Sequence, residues 1–436
     1  METQNTPSYP AMSHPSADPA VNAVAARLVG HRAGDPSQAR TLELGCASGH
    51  HLLPLAARWP EAEIVGIDAD ARAIALAREL AAEAGLANAT FHAGPFESLA
   101  LEGDFHFIIA HGVFSWVADA VKLALFQRIA TLLSQDGVAV VSFNVAAGWQ
   151  ARMPVAAKAR AVQAAGGGPG EVSLTRALEI LRDVCEADAE RSIVDDMLAK
   201  GEAVLAHDDF APVNDAFSLA DFVALAAHHG LRWLGESVPG VLQSMEGADA
   251  AGDPAAIQDA LDRATGRTFR SALLCRADAV IAPRVPASVV EPFFLCAKAG
   301  ACGGDAALMG ELAAAAPHDA HAGEMISRHG PAMATRIVRG ILVGDVAART
   351  HPAHARVAVP GAPRMDELRL ACARRGLPVV DARHRPCVYP PAHLEILAMM
   401  DGTRTLAELA EIAHLRAADL DFPRWMLHLA QRGFLL

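Results

Sequence analysis

Short apolar runs alternate with longer amphipathic segments through the first third of the chain. The strand-like runs occupy residues 41–44, 64–67, 89–92, 105–110 and 138–143. Helix-like segments lie between them at 50–59, 71–84 and 118–133. This alternation predicts an α/β fold with a parallel sheet and right-handed crossovers. Ligands of such sheets bind beyond the carboxyl ends of the strands, so we expect a site in the loops after residues 44, 67, 92 and 110.

The pattern is different on both sides of this region. The first forty residues are polar and proline-rich, then helix-like at 21–29, and predict an N-terminal arm or lid. Beyond Asn144 the chain becomes mostly helical, with a glycine run at 166–170 as a loop and Ser173 as the N-cap of a helix over 174–184. The proline-containing stretch 282–292 predicts an interdomain linker.

The end of the chain predicts three short helices and a closing strand. Thr405 and Glu408 have the spacing of a capping box, and a final helix over 423–432 ends at Gly433 before the strand-like residues 434–436. This succession is typical of a winged-helix fold. From Pro391 onward the chain has four arginines and no lysine against six acidic residues, which disfavours DNA binding. A packing or protein-docking module is the preferred interpretation.

Composition narrows the class of protein. A chain of 436 residues predicts about three domains. The net charge of −13 disfavours nucleic-acid backbones and anionic membranes as partners. The seven cysteines have no C-x-x-C spacing, which indicates reduced thiols. We find no signal-peptide pattern and no apolar run long enough to cross a bilayer, so the expected location is the cytoplasm.

The loop after the first strand predicts a nucleoside ligand. Gly45 and Gly49 let the backbone approach a ligand closely, and Asp68, 19 residues beyond Gly49, can accept hydrogen bonds from a ribose diol. A dinucleotide fingerprint needs glycines where this chain has Ala47 and His50, which argues against NAD. An ordinary turn without a ligand remains the alternative.

Several longer strings resemble a known family. Glu43 with the two glycines resembles the cofactor loop of class I S-adenosylmethionine (SAM) methyltransferases. The strings IIAHGVFSWV and GVAVVSFNVAAGW, together with the N-terminal SYP and SHP, resemble bacterial SAM-dependent methyltransferases that carry a regulatory domain, among them bacterial protein lysine methyltransferases. Residues 207–237 and 269–276 resemble the regulatory domain itself. The C-terminal segment is similar to the region that comes after the regulatory domain in those lysine methyltransferases.

This resemblance implies a Rossmann-like fold and a division into four parts. They are an arm or lid at 1–40, a SAM-binding methyltransferase domain with a helical extension at 41–204, a mostly helical regulatory domain at 205–281, and a helical domain with a winged-helix-like end at 293–436. Dimers occur in the resembling family, so a homodimer is also open.

The resemblance also implies roles for individual residues. Glu43, Gly45 and Gly49 would line the methionine and ribose parts of SAM, Asp68 would hold the ribose hydroxyls, and His111 would border the transferable methyl group. The remaining residues expected along the cofactor are Cys46, Ala47, Ala69 and Phe96. The chain departs from the family pattern at Ala47, His51 and Pro95.

Methyl transfer needs an aligned, deprotonated acceptor more than it needs particular side chains. Trp116 and Tyr9 are candidates for an apolar acceptor channel, whereas Phe114 and Phe143 are better interpreted as core residues. His111 could accept a proton because imidazole titrates near neutrality, or it could be a structural group. Asn144 could hydrogen-bond the acceptor nitrogen or cap its strand.

Histidines and cysteines elsewhere predict no metal site. His228 and His229, and the segment 317–321, lack the further ligands that zinc needs. Cys46 has no basic neighbour in sequence and is interpreted as a packing residue.

These observations together predict a SAM-dependent methyltransferase. Its expected acceptor is a protein or peptide side chain, with lysine nitrogen first, by resemblance. Two alternatives stay open at this point: an enzyme that methylates a small metabolite, and a SAM-binding interaction protein that has lost catalysis.

Overall fold

The computed structural model of the protein describes residues 11–168, 171–239, 254–301 and 304–436. Among these residues the largest sheet has eight strands: β1 (Arg40–Leu44), β2 (Glu63–Asp68), β3 (Ala89–Ala93), β4 (Phe105–Ala110), β5 (Leu133–Val145), β6 (Ala216–Phe217), β7 (Leu231–Glu236) and β8 (Phe269–Arg276). Their order is β3-β2-β1-β4-β5-β8-β7, with the short β6 beside β5. The first five strands are parallel, and β8 runs antiparallel to both β5 and β7.

The strand order reverses direction between β1 and β4, which opens a crevice at their carboxyl ends. The helices of this half of the chain are α1 (Pro19–Leu28), α2 (Leu52–Arg58), α3 (Ala71–Glu83), α4 (Asp119–Leu132), α5 (Ala146–Ala165), α6 (Leu174–Val184), α7 (Asp188–Leu198), α8 (Glu202–His207), α9 (Leu219–His228) and α10 (Pro254–Thr265). The five predicted strands and the three helices between them are confirmed, with ends shifted by a few residues. The predicted cap is also confirmed, because Ser173 Oγ accepts the Arg176 N–H at 3.1 Å.

The N-terminal segment, for which the sequence predicts an arm or lid, is packed into the molecule from residue 13 onward. Ala23 and Val24 of α1 are completely buried. Alanines of this helix pack on one face of the sheet against Phe107 and Val140. Residues 1–10, which include Tyr9 and the SYP string, lie outside the described residues.

The region that we expected to be a separate, mostly helical domain at 205–281 completes the methyltransferase sheet. Strand β8 pairs with β5 along six consecutive positions, from Ala139 opposite Leu274 to Asn144 opposite Phe269. Helices α5 to α8 form a side layer with a small core of their own. The segments on the two sides of the expected boundary after residue 204 therefore contribute strands to the same sheet.

The rest of the chain contains small sheets and short helices. The strands are β9 (Phe294–Ala297), β10 (Ala320–His321), β11 (Val346–Arg349), β12 (Val379–Val380) and β13 (Pro386–Cys387). The helices are α11 (Ala306–Ala315), α12 (Ala322–His329), α13 (Ala332–Leu342), α14 (Glu367–Arg374), α15 (Pro391–Leu397), α16 (Leu406–Arg416) and α17 (Phe422–Gln431). The predicted linker at 282–292 is packed, since Val290 is fully buried and the Ala282 N–H donates to the Gly30 carbonyl at 2.9 Å.

The C-terminal end agrees with the sequence in its helices but not in its closing strand. The capping box of Thr405 and Glu408 is present at the start of α16. Residues 434–436 form no strand, and Phe434 is fully buried in a core. The two-stranded sheet of β12 and β13 precedes α15 instead of following α17. The winged-helix assignment is therefore not confirmed.

One apolar core joins the C-terminal region to the methyltransferase sheet. It includes side chains from α2, α3 and the last four helices: Leu53, Leu55, Trp59, Ile74, Leu80, Leu368, Leu397, Trp425, Leu429 and Phe434. Because burial of such side chains is the main favourable term in folding, the C-terminal region is fixed against the helix that follows the glycine loop.

Candidate active site

The glycine loop lies at the carboxyl end of β1, in the crevice where the strand order reverses. The N–H groups of Gly45 and Cys46 donate to the Ile67 carbonyl at 2.8 and 2.9 Å, which fixes the loop to β2. Gly45 and Gly49 have φ angles of +84° and +72°. A Cβ on Gly49 would also lie 2.9 Å from the Phe91 ring. Both glycines are therefore required by conformation and by space.

Ala47 occupies a backbone conformation that favours glycine. Its φ angle is +45°, a left-handed value that costs an L-residue roughly 1–2 kcal/mol. Its N–H donates to Asp68 Oδ2 at 2.7 Å. The loop therefore keeps a glycine-like shape at the position where the resembling family has glycine, at some cost in strain.

Two carboxylates stand at the ends of neighbouring strands. Asp68 is partly exposed, and its Oδ1 accepts the Asp70 N–H at 2.8 Å. Glu43 is only 3% exposed, and its Oε2 has no hydrogen-bond partner. Burial, and then the negative charge of Asp68, raise the pKa of Glu43 well above its usual range. A bound cation would restore the charged form of Glu43.

Several buried polar atoms without partners lie around this crevice. Within the described residues, five of them belong to side chains at the carboxyl edge: Glu43 Oε2, His50 Nε2, His51 Nε2, His111 Nδ1 and Trp116 Nε1. Unpaired buried polar atoms are rare because each costs free energy, and a polar ligand would satisfy them. SAM fits this donor set, since Glu43 can face its cationic methionine part and a carboxylate such as Asp68 can accept hydrogen bonds from ribose hydroxyls.

A chain of hydrogen bonds through histidines leads to the crevice. Arg58 Nη2 lies 3.5 Å from His384 Nδ1, and His384 Nε2 lies 2.8 Å from His51 Nδ1. The His14 N–H also donates to His51 Nδ1 at 3.2 Å. Because Arg58 can only donate, the neutral His384 carries its proton on Nε2 and His51 carries its proton on Nε2. His51 thus has its remaining N–H on Nε2.

His111 follows β4, where the sequence placed it. Its ring stacks on the His14 ring with centroids 3.8 Å apart and lies 5.5 Å from Phe269. Burial, followed by the neighbouring His14 and His51, lowers the pKa of His111 well below its usual range. This direction favours the structural, hydrogen-bonding role over the proton-acceptor role, both of which the sequence left open for His111.

Of the other candidate catalytic and channel residues, one is partly exposed and three are buried. Trp116 is the partly exposed one, and it lies beside the crevice in a 3-10 turn, Phe114–Trp116. Asn144 is 2% exposed, and its Nδ2 donates to Asn214 Oδ1 at 2.8 Å, so its amide already has a partner. Phe114 and Phe143 are fully buried in the aromatic core, as their interpretation as core residues predicts.

The remaining predicted cofactor residues lie around the loop at different depths. Cys46 is 4% exposed, and burial raises the pKa of its thiol, in keeping with a packing role. Phe96 is also buried, whereas Ala69 and Pro95 are exposed. Their contact with a cofactor stays a prediction.

Metal-ligand geometry is not found in the described ranges, where no three side chains of His, Cys, Asp or Glu are grouped around a common point. The His228 and His229 rings are perpendicular, with centroids 5.3 Å apart at the end of α9.

The sequence did not indicate the ion pairs that hold the N-terminal segment beside the crevice. Asp18 is completely buried, and its Oδ2 accepts Arg58 Nη1 at 3.0 Å and Arg349 Nη2 at 2.8 Å. Its Oδ1 accepts the Ala20 N–H at 3.0 Å, which caps α1. Arg349 lies in β11, too far along the chain for a local pattern to connect it with Asp18.

Two family models match this chain. Residues 35–186 match a methyltransferase domain, and residues 201–276 match a predicted methyltransferase regulatory domain. The chain belongs to the SAM-dependent methyltransferases that carry this regulatory domain. SAM is accordingly its cofactor.

Solved structures and curated relatives extend the comparison. The fold of this methyltransferase is that of PKMT2 from Rickettsia typhi in complex with AdoHcy, with a TM-score of 0.81 and 18% identity over 98% of this chain and 100% of that one. An uncharacterised protein of Rickettsia prowazekii is 28% identical over 58% of this chain and 49% of its own length. Trans-aconitate 2-methyltransferase of Afipia carboxidovorans is 34% identical over 23% of this chain and 36% of its own. The chain thus spans about half the length of the first curated relative.

Searching the described residues for membrane spans gives none: each helix is too short or too polar to cross a bilayer.

Proposed function

We propose that this methyltransferase transfers the methyl group of SAM to a nitrogen on a protein or peptide side chain, with lysine as the first candidate. The observation that supports methyl transfer best is the group of unpartnered polar atoms at the carboxyl edge, because SAM bound there would give them hydrogen-bond partners. The lysine acceptor is supported by the strings that resemble bacterial protein lysine methyltransferases. The structural likeness to PKMT2 supports the architecture alone.

The proposed roles of the cofactor residues follow from charge and geometry. When bound, SAM supplies a methyl group on a sulfonium that is ready for in-line displacement. Glu43 would face the cationic methionine part, and Asp68 would accept hydrogen bonds from the ribose hydroxyls while it holds the loop at Ala47. The glycine backbone lets these groups approach without a side chain in the way.

The acceptor amine must be neutral before it can attack. A partly buried, apolar environment disfavours the ammonium form and lowers the pKa of an amine. Because burial lowers the pKa of His111, we assign its neutral ring the role of accepting a hydrogen bond from the amine and orienting it. The proton therefore leaves to solvent, and His111 acts as a positioning group.

A labelling experiment tests the proposal. The purified protein is incubated with methyl-labelled SAM and a lysate of its source cells, and labelled peptides are located by mass spectrometry. We expect the label on lysine side chains. His111→Ala should lower turnover about 100-fold, with SAM affinity changed far less. His228→Ala, at an exposed histidine, is the matched control. Equal turnover in the His111 variant and the parent would contradict the positioning role.

A small-metabolite acceptor is the second candidate. The partial match to trans-aconitate 2-methyltransferase favours it. In that case the label would appear in the small-molecule fraction of the lysate and protein would stay unlabelled. A protein that binds SAM in calorimetry but transfers no label to either fraction would support the third alternative, an interaction protein without catalysis.

A further inference from the structure

We propose that a cavity at the junction of the N-terminal segment, β9 and β11 binds an acidic side chain of the acceptor protein, a few residues from the methylated lysine. The inference rests on the proposed protein acceptor and names the kind of sequence that surrounds it. The cavity has a volume of about 290 Å³ and opens to solvent. We call it the arginine cavity, after three of the residues that line it: Arg349, Arg383 and Arg385.

The walls of the arginine cavity combine apolar surface with positive charge. Lys298 is a fourth cation among the lining residues. Most of the other lining side chains are apolar: Pro15, Val21, Val238, Pro239, Ala297, Ala299, Ile341, Val346, Ala347 and Ala348. Such walls suit the aliphatic stem of a side chain, and the cations suit a negative group at its end.

The charges at this junction do not cancel. Asp18 pairs with Arg349 and Arg58, and Asp381 pairs with Arg385 and Arg432. Each of these carboxylates therefore forms ion pairs with two arginines.

The other two cations add to the imbalance. Arg383 pairs with Asp319 at 2.5 Å, but its buried Nε has no hydrogen-bond partner, and Lys298 forms no ion pair within the described residues. Four cations therefore line the cavity, and no carboxylate is among its lining residues in the described part of the chain, although the protein has an overall net charge of −13. The local excess of positive charge attracts an anion.

The chemistry of the lining favours a carboxylate on a peptide. Guanidinium groups present forked donors that match the two oxygens of a carboxylate. A nucleic-acid strand would be repelled by the acidic surface of the rest of the protein. The apolar walls would also leave the ribose and phosphate groups of such a strand poorly solvated. Aspartate or glutamate of an acceptor protein supplies both a carboxylate for the guanidinium groups and an aliphatic stem for the apolar walls.

The arginine cavity adjoins the proposed methyl-transfer site. Pro15 and Ser16 form one of its walls, and His14, the preceding residue, stacks on His111. Asn22 fixes this wall, because its Nδ2 donates to the carbonyls of Ser16 and Ser237 at 2.8 and 3.1 Å. An extended peptide advances about 3.3–3.6 Å per residue. We therefore place the acidic residue about three to five positions from the lysine, a span of roughly 10–18 Å in an extended peptide.

Direct binding of peptides tests the proposal independently of methyl transfer. Two fluorescent peptides have one central lysine and carry either glutamate or glutamine at the third to fifth positions on each side. Their affinity is measured by anisotropy with S-adenosylhomocysteine present. We expect the glutamate peptide to bind at least tenfold more tightly. Lys298→Gln and the double variant Lys298→Gln/Arg385→Gln should reduce that ratio stepwise toward one.

The controls distinguish a failure of the cavity proposal from a loss of folding and from a failure of the proposed function. Arg284→Gln changes an exposed arginine away from the cavity and should keep the parent ratio. Lys298→Gln breaks no ion pair, so a normal melting temperature is expected for it. Glutamate-dependent binding without label on any lysine would retain the cavity and refute the proposed lysine acceptor.

Other outcomes overturn the inference. If the parent protein binds the two peptides with equal affinity, the inference is wrong. It is also wrong if the double variant keeps the parent ratio of glutamate-peptide to glutamine-peptide affinity, because the selectivity would then arise elsewhere. A third peptide carries phosphoserine in place of glutamate. If it binds at least tenfold more tightly than the glutamate peptide, the cavity is a phosphate site and the carboxylate assignment is wrong.

Discussion

Two groups of buried polar side chains lie near each other and differ in how they are paired. Around Asp18, a carboxylate with no exposure is satisfied by two arginines and a backbone N–H. At the carboxyl edge of the sheet, by contrast, Glu43 Oε2 and ring nitrogens of His51 and His111 have no hydrogen-bond partners among the described residues. The first group is complete within the chain, and the second needs a ligand.

We therefore expect the Asp18 group to contribute to stability and the carboxyl-edge group to contribute to ligand binding. Paired buried charges contribute to folding and become costly when one partner is removed. Unpaired groups lower stability and are retained where a ligand or substrate completes them. Substitutions in the Asp18 group should therefore change the free energy of unfolding, whereas substitutions at the carboxyl edge should change SAM affinity or turnover.

Asp18→Ala should have the largest effect. It leaves Arg349, whose side chain is 9% exposed, without its carboxylate, and removes the cap of α1. We expect a loss of about 3–5 kcal/mol in the free energy of unfolding, measured by denaturant titration. Glu63→Gln, which breaks an exposed ion pair with Arg40, should cost less than about 1 kcal/mol. Similar losses in both variants would show that the Asp18 group is not structural.

Asp68→Ala should weaken SAM binding by about 1.5–3 kcal/mol in titration calorimetry, because a charge-assisted hydrogen bond is lost. Asp70→Ala is a matched control, since Asp70 is exposed and caps α3. That variant should lower stability by about 1 kcal/mol and leave SAM affinity unchanged. Unchanged affinity in Asp68→Ala would refute its ribose role.

Glu43 should make SAM affinity depend on pH. Its pKa is raised in the free protein, and a bound cation favours the charged carboxylate. Affinity should therefore rise as the pH increases through the raised pKa, by up to about tenfold per pH unit. Calorimetry in buffers of different ionisation enthalpy should detect proton release on binding. Glu43→Gln should remove both effects, and a persistent slope would assign them to another group.

Ala47→Gly should have the smallest effect and the opposite sign. Glycine relieves the left-handed backbone at position 47, but it also increases the entropy of the unfolded chain. We expect the unfolding free energy to rise by less than about 1 kcal/mol. Ala69→Gly, at an exposed alanine without a positive φ angle, is the control. A clear loss of stability at position 47 would show that the loop is not strained there.

Features with local causes were predictable from the sequence. Runs of apolar residues predicted β1 to β5, and the spacing of Glu43, Gly45, Gly49 and Asp68 predicted the loop and its two carboxylates. The cap at Ser173 and the capping box at Thr405 also follow from residues a few positions apart. Each of these depends on short-range hydrogen bonding or on periodic burial.

Features that depend on distant contacts were not predictable. His384 meets His51 from 333 positions away, and no pattern in either segment marks the pair. The low pKa of His111 depends on the His14 ring that stacks on it. The packing of the C-terminal helices on α2 likewise arises from apolar faces that could have been covered by many partners.

The long pairing of β5 with β8 limits how segments of this protein can be deleted or exchanged with those of homologues. Since the segment recognised as regulatory contributes the interior strand β8 and the edge strand β7 to the catalytic sheet, deleting it would expose the edge of β5 at the six positions that pair with β8. Neither segment can be exchanged as an independent module between homologues. Chimeric enzymes made to redirect specificity should therefore be joined beyond β8, and the two segments should be transferred as a single unit.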